Sequence, residues 1–477
     1  MTIGKLSDKL LLRIFRCFLD SSPPSWPILV HTCRKWRHLL FAFRRALHLR
    51  LFCTHGTPVL KALYFQPALP IVVKYGGYSA LNPPAPEDEG NILATLRRSD
   101  RVSSIYLTLT KSLLNKLSSI RGKFAVLEDL VLLSQDDSHL VLPSKFQSGT
   151  RLRVLHLTRV AFSAPLRLLS SSRDLVDIQL HDISDYRYLS PTELAGALSG
   201  MTHLRSLSLH FLSTTANQTT KLPLSEKSAV NRAVMNSLSC LKYRGTSKYL
   251  DNLLERVDAS CLADLEIAFF DHPPFNISNL DEFISRTEML KLNRQAEILF
   301  SERSISISLT QMCLTFPVLC ESPVPQPLLS MAEICSRLSA LHVMEEIRIK
   351  VVPSSWLYTT DCENWVNLFN GLKWFHIAGN SNPFMEIMRP LWSLPALLKL
   401  CICEHGSRFP PLREAVVSLM VDRRPFGCPM EAEYQQLCTD EPTEVKTSKS
   451  HAQYQRHALT LAFVRTFLSA SDDRRSP

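Results

Sequence analysis

Leu127-Glu-Asp-Leu130-Val-Leu132, Leu152-Arg-Val-Leu155-His-Leu157, Leu175-Val-Asp-Ile178-Gln-Leu180 and Leu204-Arg-Ser-Leu207-Ser-Leu209 repeat one six-residue pattern, apolar-x-x-apolar-x-apolar. Val102-Ser-Ser-Ile105-Tyr-Leu107 carries it one step earlier, and successive copies start 25, 25, 23 and 29 residues apart. The last two apolar positions are two residues apart, which in an extended chain puts both on one side. A short strand that recurs at a nearly constant period points to stacked units sharing one continuous core.

This is a leucine-rich-repeat signature of irregular length. Weaker copies follow at Leu238-Leu241-Tyr243, Leu262-Leu265-Ile267, Met344-Ile347-Ile349, Leu372-Phe375-Ile377 and Leu397-Leu400-Ile402, with Ile305-Ile307-Leu309 in the wide gap between them. Past residue 270 the gaps approach forty residues, and the asparagine that usually follows the strand is missing. Returning helices are expected between strands. Ser190-Pro-Thr-Glu193 is a capping box with proline at the first helical position, and residues 280–300 and 328–342 have helical apolar spacing. The fold class is therefore α/β, with residues 96–420 as an irregular leucine-rich-repeat-like solenoid.

In such an array the residues between the apolar strand positions face outward on the concave side, about 5 Å from their neighbours on adjacent strands. Those positions hold His156, Gln179, His181, Ser208 and His210 in the early copies, and Asp264, Glu266, Glu346, Arg348, Trp374 and His376 in the later ones. A polar strip of mixed charge suits recognition of a protein target. Trp374 stands out, since an exposed large aromatic is a candidate hot spot.

Residues 1–50 differ in kind. Leu6, Leu10 and Ile14 recur every four residues with Phe15 beside them, and Trp26, Val30, Cys33 and Trp36 form a second helical stripe beyond Pro23, Pro24 and Pro27. Helices this short cannot bury that much apolar surface among themselves, so part of it should be an interface. The segment holds ten Lys or Arg against two acids, a net of +8, while the whole chain is +10. Charge confined to one apolar module fits an acidic protein partner better than a nucleic-acid groove, where cations track phosphates along a surface.

The two stripes together resemble the F-box, on Leu6, Leu10, Ile14 and Phe15, then Val30, Cys33, Trp36 and Arg37. The family usually has proline after the first leucine, where this chain has Ser7; Ser7 or Asp8 can still cap a helix. The resemblance implies that these eight residues dock the Skp adaptor and, through it, a cullin, so that the repeat region presents a protein target for ubiquitin transfer by other subunits. RLFCTHGTPV running into QPALPIVVKYGG directly after this segment makes residues 5–80 similar to fungal, basidiomycete-type F-box proteins with leucine-rich-like tails. Residues 51–95 are expected to form a connector that ends in a short strand and caps the solenoid, with NPPAPEDEG as a polar breakpoint. Two other readings stay open: an F-box and repeat scaffold with no ligase role, and a basic nucleic-acid-binding protein.

Composition excludes several classes. Only 14 glycines against 29 prolines, with neither a P-loop nor a GxGxxG run, argue against phosphate-cradling loops. Thirteen irregularly spaced cysteines suggest reduced thiols and a cytoplasmic or nuclear location. No apolar run reaches the length of a membrane span, and Lys5, Asp8, Lys9 and Arg13 interrupt any signal-peptide core, so no membrane association is expected. Cys401-x-Cys403-x-His405 lacks paired CxxC spacing and falls in a repeat strand, which favours core cysteines over zinc. Without a GxSxG elbow or an HExxH helix, the expectation is a non-catalytic receptor with no cofactor and no metal. Residues 421–477 read as a partly disordered tail, polar over 440–450, with a terminal helix over 457–470.

Overall fold

The computed structural model describes residues 6–21, 25–44, 47–54, 69–75, 86–120, 122–134, 140–142, 146, 151–162, 165–183, 189–212, 232–270, 277–291, 295–300, 304–309, 312–317, 337–338, 344–351, 371–379, 396–405 and 431–437. The chain divides into two units, Met1–Leu212 and Ser213–Pro477. Both are α/β and carry a mostly parallel sheet, an arrangement consistent with leucine-rich-repeat-like stacking.

The first unit opens with helices α1 (Asp8–Ser21), α2 (Trp26–Thr32) and α3 (Arg34–Ala42). Ser7 Oγ accepts from the Leu10 backbone N–H at 3.4 Å, so the serine caps α1 as expected. Leu11, Phe15 and Leu19, four residues apart, turn one stripe of α1 into a core with Trp26, Leu29, Val30, Leu39 and Leu40. Leu47, Leu49 and Leu69 belong to the same core. The helices are therefore fused to the start of the sheet and are not a separate bead.

The sheet of this unit follows: β1 (Leu51–Cys53), β2 (Ile71–Tyr75), α4 (Pro86–Leu96), β3 (Val102–Leu109), α5 (Lys111–Ser118), β4 (Asp129–Ser134), β5 (Leu140–Leu142), β6 (Val154–Thr158), β7 (Val160–Phe162), α6 (Pro165–Ser171), β8 (Asp177–Ile183), α7 (Pro191–Leu198) and β9 (Ser206–Phe211). Strands β1-β2-β3-β4-β6-β8-β9 lie side by side and pair in parallel, while β5 and β7 form a small pair of their own. Every strong copy of the six-residue pattern is a strand, and the copies align. Ile105, Leu130, Leu155, Ile178 and Leu207 form one row, and Leu107, Leu132, Leu157, Leu180 and Leu209 the next. All ten are buried, each worth about 1.5–3 kcal/mol against leaving it in water. Helices between the strands bury their own stripes, such as Leu113, Leu114 and Leu117 of α5. The expected capping box holds: Ser190 Oγ accepts from Glu193 N–H at 3.2 Å and donates to its carboxylate at 2.7 Å.

The connector contains the expected short strand, β2, and opens with another, β1. Both extend the parallel sheet, Leu51 opposite Ile71 and Ile71 opposite Val102, so residues 51–53 and 71–75 supply its first strands. Of the polar breakpoint expected at 82–90, residues 86–90 open helix α4 and 82–85 lie outside the described residues. Proline at the first position pre-sets the first helical dihedral, and Asp88 and Glu89 complement the positive end of the helix, so polarity here marks a helix start.

The second unit contains β10 (Ala233–Val234), β11 (Cys240–Gly245), α8 (Ser247–Leu254), β12 (Val257–Asp258), β13 (Asp264–Phe269), α9 (Ser278–Arg286), α10 (Glu288–Lys291), β14 (Gln295–Phe300), β15 (Ser304–Leu309), β16 (Met312–Pro317), β17 (Glu346–Val351), β18 (Trp374–Gly379), β19 (Lys399–His405) and β20 (Glu431–Leu437). Its main sheet runs β11-β13-β16-β15-β14-β17-β18-β19-β20, and β10 pairs with β12 alone. The wide gap in the repeats has a specific cause. β15 pairs antiparallel with both β14 and β16, a three-stranded insertion that leaves β16 parallel to β13 and β14 parallel to β17. Ile305-Ile307-Leu309 is thus a strand of opposite direction and not a repeat copy.

The helix expected over 280–300 stops at Lys291, and 295–300 is strand, with Ala296 and Ile298 buried in alternation. The tail beginning at 421 includes a strand, β20, paired along its whole length with β19. The helical spacing of 328–342 falls outside the described residues apart from 337–338, and both 440–450 and 457–470 fall outside them entirely. Among the described residues no helix is long and apolar enough to cross a membrane.

Candidate functional site

Helix α1 carries two apolar stripes one residue out of phase. Leu11, Phe15 and Leu19 are buried, whereas Leu10, Ile14 and Phe18 are 46%, 47% and 37% exposed. Ile28 of α2 and Phe43 after α3 are exposed as well, so five of the ten large hydrophobics exposed among the described residues lie within residues 10–43. Lys9, Arg13 and Arg16, all exposed, alternate with the outer stripe. Scattered single apolar residues on a surface mean little, but a contiguous apolar patch ringed by one sign of charge marks an interaction surface.

The eight residues read as adaptor contacts therefore separate. Leu10, Ile14, Cys33 and Arg37 are exposed, and Leu6 and Trp36 are half-buried. Phe15 and Val30 belong to the core, at 0% and 7% exposure. Phe15 meets Trp36 edge to face, with ring centroids 4.9 Å apart at 64°, and so braces α1 against α3. Arg37 Nε donates to the Val30 carbonyl at 3.2 Å, tying α3 to α2. Phe18, Ile28 and Phe43 were missed from the sequence. Phe18 had a signal, since it continues Leu10 and Ile14 at the next four-residue step.

On the sheet of the first unit, the positions between the apolar rows share the opposite face. Tyr106, Val131, His156, Gln179 and Ser208 are aligned across β3, β4, β6, β8 and β9. These side chains are tied to one another. His156 Nε2 lies 2.7 Å from Asp177 Oδ2, and Gln179 Nε2 donates to the same carboxylate at 3.3 Å. Burial alone would raise the Asp177 pKa, but hydrogen bonds from His156, Ser206 and Gln179, with the His156 charge, outweigh it and hold the carboxyl below its ordinary value. Further along, His181 and His210 stack at 4.1 Å and 9°, and Ser208 Oγ sits between their Nε2 atoms at 3.0 and 3.3 Å. Ser208 is only 4% exposed. It is a spacer between two imidazoles and is closed to a substrate.

A second cluster was not foreseen. Arg50 donates to Ser104 Oγ at 3.1 Å and Glu128 Oε2 at 3.2 Å, while Asp129 Oδ2 accepts from Ser104 at 2.8 Å and Tyr106 at 3.1 Å. Trp26 Nε1 donates to the Arg50 carbonyl at 2.7 Å, fastening the helices to the sheet's polar side. No sequence pattern announces this, because its hydrogen-bonded partners are 23 to 78 residues apart.

In the second unit Arg348 faces His376 and Glu346 faces Trp374 in adjacent strands, so the structure brings together four of the six late residues named from the sequence. Glu346 is 4% exposed, not solvated as its position suggested. Its carboxylate is fully engaged, accepting from Arg348 at 2.7 Å and Gln295 at 2.7 Å, with His376 at 3.6 Å. Trp374 stands 48% exposed beside this neutralised acid. Asp264 and Glu266 are half-buried; Glu266 pairs with Lys242 at 2.6 Å, and Asp264 accepts from the Cys240 thiol at 3.4 Å. Burial, with the Asp264 charge beside it, pushes that thiol up to about 12.

Cys401 is buried in β19, while the side chains of Cys403 and His405 are outside the described set. Among the described residues no group of three or more His, Cys, Asp or Glu side chains is placed to hold a metal. No family model matches the chain, and no curated protein matches it.

Proposed function

We propose that the chain is the substrate-recognition subunit of a Skp/cullin/F-box ubiquitin ligase. In this reading residues 1–50 are the F-box, and the parallel strands behind them are an irregular leucine-rich-repeat-like solenoid that holds a protein target. The observation that carries it is the outer stripe of α1: Leu10, Ile14 and Phe18, exposed and flanked by Lys9, Arg13 and Arg16. Burying three such side chains against a partner would release about 1.5–3 kcal/mol each, and an acidic partner would be steered by the cations around them.

The reading assigns no chemistry to the chain itself. It would act by proximity, holding target lysines within reach of a ubiquitin-charged subunit and so raising their effective concentration. Two polar surfaces are offered to the target: the His156, Gln179, His181 and His210 strip, and the Arg348, Trp374 and His376 cluster. Purifying the chain with the Skp adaptor, with and without Leu10→Glu and Ile14→Glu, tests the docking half. Accumulation of a bound protein, with loss of its ubiquitin, when the chain is removed from cells tests the ligase half.

A further inference from the structure

Where the helices meet the sheet, three strands supply a floor of mixed apolar and polar side chains. Phe52, Val72 and Ser104 are aligned across β1, β2 and β3, and Lys74 and Tyr106 form the next row. The end of α1 and the link 47–50 wall this floor, enclosing a cleft of about 500 Å3. Ligand-sized sites range from about 300 to 1,000 Å3 and combine apolar walls with a few placed polar groups.

The polar groups here are not equivalent. Arg50 is committed to Ser104 and Glu128, so neither it nor Glu128 is available to a neighbour. Lys74 is different: it is the one exposed residue of β2, whose other four are buried, and it has no hydrogen-bond or ion-pair partner among the described residues. His48, also lining the cleft and exposed, has φ of 48°, a left-handed conformation that non-glycine residues seldom adopt and that clusters at binding sites. A single carboxylate, Asp20 at the end of α1, also lines the cleft.

We propose that this cleft binds a small amphipathic monoanion: an aromatic or branched aliphatic body seated on Phe52, Val72 and Leu49, with its carboxylate taken by Lys74 and His48. Asp20 disfavours a dianion such as a phosphate monoester. The same chemistry is supplied by a free carboxylic acid or by the apolar C-terminal residue of a peptide. The site is separate from the outer stripe of α1, and its test is independent of adaptor docking.

The probes are 2-naphthoate and its uncharged amide, titrated calorimetrically into the full-length chain, alongside N-acetyl-Leu-Phe as acid and as amide. Saturable one-to-one binding of at least one acid is expected, with its amide weaker by about tenfold, the worth of one charge-assisted hydrogen bond. Lys74→Gln should weaken the acid about as much, Asp20→Asn should tighten it, and Trp374→Ala should leave it unchanged. Both substituted cleft residues are exposed, so neither should unfold the chain. Preference for the dipeptide acid assigns the site to chain ends, and preference for naphthoate to free acids. Equal binding of acid and amide, indifference to Lys74→Gln, or no saturable binding at millimolar probe would overturn the proposal.

Discussion

Helix α1 and strand β6 dispose of their apolar residues in opposite ways. In β6 the alternation is strict: Leu155 and Leu157 are buried, and His156 between them is half-buried and hydrogen-bonded. In α1 the apolar arc is wider than the core behind it. Leu11, Phe15 and Leu19 use the core, while Leu10, Ile14 and Phe18, one residue earlier, are left in water. A strand with two faces sorts its residues completely, whereas a helix with an arc broader than about 100° has apolar surface left over. The excess is what a partner can take. Recognition by the strands must instead rest on polar groups already engaged with one another.

Substitutions on the two stripes break this comparison most sharply. Phe15→Ala should lower the unfolding free energy of the first unit by about 3–5 kcal/mol in a urea titration, since it empties a fully buried ring site. Ile14→Glu, one residue away, should leave that titration within about 0.5 kcal/mol of the parent. It should nevertheless weaken adaptor binding by at least about 30-fold, the effect of losing a hot-spot contact. If both residues behaved alike in both measurements, the two-stripe account would be wrong.

Smaller effects sharpen the strand side. Ser190→Ala removes the acceptor that satisfies Glu193 N–H and should cost about 1 kcal/mol in the same titration. The pH dependence isolates Asp177. Its folded pKa lies below the unfolded value, near 3.9, so its ionised form stabilises the protein above that pH and the contribution disappears as pH falls through the folded value. The difference in Tm between the parent and Asp177→Asn should therefore shrink as pH falls below about 4. Smallest is a labelling contrast followed by mass spectrometry. Exposed Cys17, Cys33 and Cys261 should alkylate readily at neutral pH, and Cys240, half-buried with its thiol pushed up, should react far more slowly.

Much of the sheet was legible in the sequence, because period-two apolar spacing within a period of about 25 residues has one physical reading. Leu130, Leu155, Ile178 and Leu207 stand in one buried row as that pattern requires. What escaped depends on pairing between distant residues. Ile305, Ile307 and Leu309 alternate as any strand does, and nothing local records that β15 runs antiparallel. Arg50 meets Glu128 across 78 residues of sequence, only because the fold brings the starts of β1 and β4 to the same side of one sheet with two strands between them, and the burial of Glu346 follows from Gln295 and Arg348 closing over it. On α1 the sequence showed the helix and its apolar excess but placed the phase between the stripes, assigning Phe15 to the surface. A shift of one residue is 100° on a helix, and only the packing of α3 decides it.

The central claim is that the outer stripe of α1 docks an acidic adaptor. Its most direct measurement is the affinity of the purified Skp adaptor for three full-length chains: the parent, the double variant Leu10→Glu with Ile14→Glu, and His156→Ala as a substitution on the sheet. The account predicts a stable complex with the parent and with His156→Ala, and no detectable complex with the double variant, which should unfold at the parent's urea midpoint. A parent chain that fails to bind the adaptor, or a double variant that binds as the parent does, would contradict it.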